Sequence, residues 1–261
     1  MTLLCIGDSW TQGDNPSQKL NWDAKPNIPW YHIVPNFGEP NYPVDDRVLY
    51  KFYDSEVWPK TLGRILGCET YNAGRLGADN RRIVRSGINS IKYLQEKGCK
   101  DIFLIAGFTS FTRVPLYQVK GNKGILTHHQ VRPSMKYFNQ YFKKLQVLTD
   151  DFLLDVIGLQ NFCEVNNVNY LFFNAFDTVD NIENSTLFSY LDKKHWVYKD
   201  PIEYTFKQFI VDKFRGNLGR GEWDDKSDYF VSNHPTDLSH KNWGEFLADY
   251  INTNSNDFNC S

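Results

Sequence analysis

Four short strand-like runs punctuate the chain, three of them apolar: Leu3–Ile6, Glu69–Tyr71, Ile102–Ala106 and Tyr170–Phe173. Each is followed by Gly, Asn or another turn residue, the pattern of buried strands ending in turns. Between them the apolar positions recur at helical spacing. In "SEVWPKTLGRILG", Val57, Trp58, Thr61, Leu62, Ile65 and Leu66 share a face, Pro59 suits a first turn and Gly67 a stop. In "ADNRRIVRSGINSIKYLQEKG", Asp79 is the expected cap, Val84, Ile88, Ile91 and Leu94 point inward, and Gly98 ends the helix. A long aromatic-rich helix is expected from about Ser134 toward Asn166, broken near Asp150–Asp151. The last helix, "SHKNWGEFLADYI", carries Trp243, Phe246, Leu247, Tyr250 and Ile251 on one stripe.

Strand and helix alternate, which predicts a three-layer α/β/α fold with a mostly parallel, flavodoxin-like sheet of about five strands. In such sheets ligands bind beyond the carboxyl ends of the strands. Ser9, Asn72–Gly74, Gly107–Thr109 and Asn174 would lie there. Three stretches break the alternation, at about 14–56, 110–133 and 185–228, and read as long inserted loops on one domain spanning 1–261.

Composition narrows the function. Of 261 residues, 41% are hydrophobic and 23% charged, so the chain can bury a core. A net charge of −2 gives no basic face for nucleic acid. No window nears 18 consecutive apolar residues, so no membrane span is expected. The five cysteines, Cys5, Cys68, Cys99, Cys163 and Cys260, show no metal-ligand spacing and favour a reducing compartment. No signal peptide is read, and no metal or cofactor is implied. Asn, Lys and Tyr are common, as in AT-rich genomes.

The first strand stops at "GDSW". Gly, Asp and Ser are turn residues, so Ser9 could simply cap a turn. Together with three later blocks, however, "GDSWTQG" resembles the SGNH/GDSL hydrolases. Gly7-Asp8-Ser9 matches the first block, with the helix of "VWPKTLGRIL" after it. "YNAGRLGADN" matches the second, Asn72 and Gly77 having the family spacing. The third, normally Gly-x-Asn-Asp, is here "GFTS", with Thr109 and Ser110 in place of Asn and Asp. The last, normally Asp-x-x-His-Pro before a helix, is "VSNHPTDLSH", with Val231 at the Asp position.

The resemblance implies a serine ester hydrolase without cofactor, with Ser9 as nucleophile and His234 as base. Donors from Ser9, Gly77 and Thr109 would hold the oxyanion. A serine needs such a base, and a base needs orienting, commonly by a carboxylate. Asp228, far enough upstream to fold back, is the expected acid. Asp237–His240 is an alternative acid–base pair by spacing. Arg113 could reach an anionic substrate or brace its loop, and the bracing role is favoured. Trp10, Trp22, Trp30, Tyr31 and Trp58 could line a substrate groove or form a local core.

Two readings follow. One is an esterase acting on a small-molecule or glycan ester, such as an O-acetylated carbohydrate. The other is a catalytically weak or inactive binding or structural protein on the same scaffold. The expected location is cytoplasmic or virion-associated, and a phage particle component or homo-oligomer is the partner class envisaged.

Overall fold

The computed structural model describes residues 1–13, 30–34, 56–120, 123–130, 145–176, 182–199, 202–214, 230–231 and 234–255. Five strands form one parallel sheet: β1 (Thr2–Gly7), β2 (Tyr31–Ile33), β3 (Glu69–Asn72), β4 (Ile102–Phe108) and β7 (Asn169–Asn174), in the order β2-β3-β1-β4-β7. Helices pack on both faces, so the predicted three-layer α/β/α architecture is the one observed.

The apolar runs are continuous because both sheet faces are covered. On β1, Leu4 and Ile6 join one core with Ile83, Ile91 and Leu94 of α3 (Asn80–Glu96) and Phe152, Val156 and Leu159 of α4 (Leu145–Val165). Leu3 and Cys5 join the other core. It contains Trp58 and Leu62 of α2 (Trp58–Leu66), Phe206 and Ile210 of α5 (Phe206–Phe214), and Trp243, Leu247 and Ile251 of α6 (Asp237–Thr253). Each fully buried side chain of this kind contributes roughly 1.5–3 kcal/mol. Trp243, Leu247 and Ile251 therefore anchor α6, and with it the segment just before it, firmly to the sheet.

The topology also locates a crevice. From β1 the chain goes on to β2 and β3 on one side, then returns to β4 on the other. The carboxyl ends of β1 and β4 thus flank the point where strand order reverses, the usual ligand position in open α/β sheets. Gly7 and Gly107 stand side by side there.

Three sequence expectations are corrected. The stretch at 14–56 is not only loop, because its Tyr31–Ile33 supplies the edge strand β2 beside β3. The stretch at 110–133 contains a β-hairpin, β5 (Arg113–Lys120) with β6 (Lys123–Gln130). Helix α4 runs unbroken through Asp150–Asp151. Its acids are absorbed by tertiary contacts: Ser185 Oγ donates to Asp150, and Arg81 pairs with Asp151 at 3.4 Å. In the 185–228 stretch lie short 3₁₀ turns, the small pair β8 (Tyr198–Lys199) and β9 (Ile202–Glu203), and α5. Among the described residues, no helix is long and apolar enough to cross a membrane.

Candidate active site

Strand β1 ends on Gly-Asp-Ser because the chain must turn sharply there. Residues Ser9–Gln12 form α1, a single helical turn lying back on the strand ends. A Cβ on Gly7 would sit 2.1 Å from Thr11 Oγ1 and 2.8 Å from the Gly107 carbonyl, so glycine is required. Asp8 is the N-cap: its Oδ1 accepts from the Trp10 N–H at 2.9 Å. Ser9 is the first helical residue, buried at the floor of the crevice.

His234 reaches Ser9 from the far end of the chain. It lies in β11 (His234–Pro235), paired antiparallel with β10 (Phe230–Val231) immediately before α6. His234 Nε2 is 3.1 Å from Ser9 Oγ, within hydrogen-bond reach. Val231, which occupies the position where the resemblance expects an acid, is the ribbon partner of His234. Asp228 lies outside the described residues.

The alternative pair is arranged differently. Asp237 opens α6, and His240 lies in its first turn, where its N–H donates to the Thr236 carbonyl at 2.9 Å. The His240 ring is buried near Phe206, 5.6 Å between centroids, and neither ring nitrogen has a partner among the described residues. Burial, with a smaller effect from His234, pushes its pKa down to about 3. The ring next to the Ser9 hydroxyl is that of His234, not His240.

A polar network stands on the other side of Ser9. The Thr109 hydroxyl donates to Asp8 Oδ2 at 2.9 Å, and Arg113 Nη1 donates to the same oxygen at 3.1 Å. Thr109 therefore spends its proton on Asp8 rather than on the space before Ser9, unlike the donor role that the resemblance assigns it. Asp8 is fully buried, and burial raises its pKa, opposed first by the Arg113 guanidinium and then by the Trp10 and Thr109 donors. Arg113 braces this corner, as expected, by also donating to the Ala78 carbonyl at 3.1 Å.

The second block is fixed by its own asparagines. Asn72 Nδ2 donates to the Thr11 carbonyl and to Tyr31 Oη, each at 2.9 Å, and its Oδ1 accepts from the Gly74 N–H. Asn80 clamps the start of α3 to the end of β4: Oδ1 accepts from Thr109 N–H at 2.9 Å and Nδ2 donates to the Thr109 carbonyl at 3.2 Å. Sequence reasoning missed Asn80, whose only signal is its place directly after the cap Asp79. Gly77 adopts φ +68°, a left-handed conformation that suits glycine, in the turn before α3. Neither the Ser9 nor the Gly77 amide N–H has a hydrogen-bond partner among the described residues.

Of the aromatic cluster, Trp58 is wholly inside the core and Tyr31 is held by Asn72, so neither lines a groove. Trp10 packs on Phe176 at 4.3 Å and on Phe206 at 5.5 Å and is buried in the core on that face of the sheet. Trp22 lies outside the described residues. Trp30 meets Tyr31 edge-on at 6.2 Å.

A family model, Family of unknown function (DUF6071), matches residues 39–193, more than half of the chain. The chain belongs to that family. No curated protein matches this DUF6071 chain. Among solved structures it is similar to a protein described as lipolytic, of the G-D-S-L family, from Desulfitobacterium hafniense DCB-2. That match has 13% identity and a TM-score of 0.40, covering 95% of this chain and 98% of the other. It is also similar to a carbohydrate esterase whose active site displays divergent catalytic and non-catalytic binding functions. There the identity is 10% and the TM-score 0.45, covering 96% of this chain and 68% of the other.

Proposed function

We propose that the chain is a serine ester hydrolase. The observation that carries the reading is the 3.1 Å approach of His234 Nε2 to Ser9 Oγ at the switch point of the sheet. Ser9 Oγ attacks the ester carbonyl while His234 takes its proton. The imidazolium then protonates the leaving alkoxide, giving an acyl-serine and a free alcohol. Water, deprotonated by the same ring, releases the acid and restores Ser9. The unspent N–H groups of Ser9 and Gly77 are suited to the oxyanion. Asp228 is the proposed orienting acid. The substrate class is an acyl ester, with O-acetylated carbohydrate as the favoured example.

The test is hydrolysis of a small acetyl ester together with labelling by a fluorophosphonate. Turnover and labelling that both vanish in Ser9→Ala support the reading. A parent inert to both overturns it in favour of a non-catalytic binding protein on this scaffold.

A further inference from the structure

We propose that Arg113 is a catalytic residue, its guanidinium supplying the third donor to the oxyanion. This rests on the hydrolase reading above. Among the described residues, the side-chain donors of Thr109, Asn80 and Asn72 are already committed. The Thr109 hydroxyl is given to Asp8, both ends of the Asn80 amide to the Thr109 backbone, and the Asn72 amide to Thr11 and Tyr31. None of these three side chains is left to join the Ser9 and Gly77 amides at the charge of the tetrahedral intermediate.

The position of Arg113 fits the missing donor. Its Nη1 bonds Asp8 Oδ2 and the Ala78 carbonyl, each at 3.1 Å. Asp8 is the chain neighbour of Ser9 and Ala78 that of Gly77, so Nη1 bonds the residues that adjoin both candidate amides. Arginine carries five N–H donors in a rigid fork. Bracing uses those on Nη1, while Nη2 and Nε have no partner among the described residues. The Phe176 ring lies 5.6 Å from the guanidinium carbon. The side chain keeps 20% of its surface exposed where Asp8 keeps none.

Charge points the same way. A buried carboxylate one residue from the nucleophile would oppose an oxyanion forming beside it. Arg113 cancels that charge and, already fixed by Asp8, needs no reorganisation when the oxyanion appears. Atom balance is unchanged from the hydrolase cycle: Arg113 donates hydrogen bonds and transfers no proton, as its pKa requires.

The experiment compares the parent with Arg113→Gln and Arg113→Lys on two acetyl esters, one neutral and one bearing a carboxylate. Loss of an oxyanion donor is expected to lower kcat by about a hundredfold or more on both esters, with KM changed only a few-fold. Lysine, a point charge without the fork, should recover part of kcat. A rise in KM confined to the carboxylate ester, with kcat kept, would mean that Arg113 clamps a substrate anion and would overturn the proposal. Unchanged kcat on both esters would reduce Arg113 to a brace and overturn it too. If Arg113→Gln melts below the assay temperature, Arg113→Lys, which keeps the charge beside Asp8, carries the test: kcat equal to the parent's overturns the proposal. An inert, unlabelled parent sinks the hydrolase reading itself, whereas an active parent with an indifferent Arg113 sinks only this inference.

Discussion

His234 Nε2 and Ser9 Oγ stand 3.1 Å apart although 225 positions separate them along the chain. Ser9 is fixed by the central strand β1 and the Asp8 cap. His234 is fixed by its ribbon and by α6, whose Trp243, Leu247 and Ile251 are buried against the same sheet. Both partners are thus held by core packing, which is what proton transfer at a set distance requires.

Removing either partner should abolish turnover by different routes. Ser9→Ala is expected to lose both acetyl ester hydrolysis and fluorophosphonate labelling. His234→Ala is expected to lower kcat/KM by about 10²–10⁴-fold, the range for a positioned general base. Steady-state hydrolysis of a neutral acetyl ester reads both. Full activity in His234→Ala would remove His234 from the mechanism.

Thr109→Val separates support from catalysis. It deletes one donor to the buried Asp8 carboxylate and leaves those of Trp10 and Arg113. A hydrogen bond to a charged group contributes about 1.5–3 kcal/mol, so a loss of that order is expected in thermal or denaturant unfolding. Turnover, measured well below the melting temperature, should fall less than tenfold. A hundredfold loss with an unaltered melting temperature would return Thr109 to the oxyanion.

The parts legible in the sequence were those written in local pattern. β1, β4 and β7 are read from uninterrupted apolar runs, and those runs exist because both faces of each strand are buried, whereas β3, Glu-Thr-Tyr-Asn, carries no such run. β2 was invisible, since Tyr31–Ile33 is three residues inside an aperiodic stretch and is a strand only because β3 offers it an edge. The hairpin of β5 and β6 had one local sign, Gly121–Asn122 between two extended runs. The chain-distant Asp8–Thr109 and Asp8–Arg113 bonds span 101 and 105 positions, and no periodicity encodes them. The motif order could name Ser9 and His234, but not where the Thr109 proton goes.

Asp155 should make stability fall as pH rises from about 4 to 7. It lies on α4, 3.8 Å from Arg81 Nε. Burial pushes its pKa up to about 7; Arg81 opposes this and Asp151 adds to it. In the unfolded chain the group titrates near ~4. Between these values the native state binds more protons, so this contribution declines from about pH 4 to 7 and is level above. Asp155→Asn removes the titration. The melting temperature of the variant relative to the parent should therefore climb between pH 5 and 7. A constant difference across that range would show that Asp155 does not titrate there.

His240 carries the opposite slope and tests the choice of histidine at the same time. Its ring is buried beside Phe206 with both nitrogens unpartnered among the described residues, and its pKa lies near 3. An unfolded histidine titrates near ~6.5. From pH 6.5 down to about 3 the unfolded chain takes up the proton and the native ring does not, so acid drains stability through this group. His240→Phe replaces two buried, unsatisfied nitrogens with carbon of similar shape. Relative to the parent its melting temperature should rise steadily as pH falls from 6.5 to 4. Because the ring at the Ser9 hydroxyl belongs to His234, labelling of Ser9 by fluorophosphonate at pH 7 should persist in His240→Phe and disappear in His234→Ala. The reverse pattern, labelling lost at His240 and kept at His234, would give the base to the Asp237–His240 pair. It would also require the first turn of α6 to rearrange before reaction.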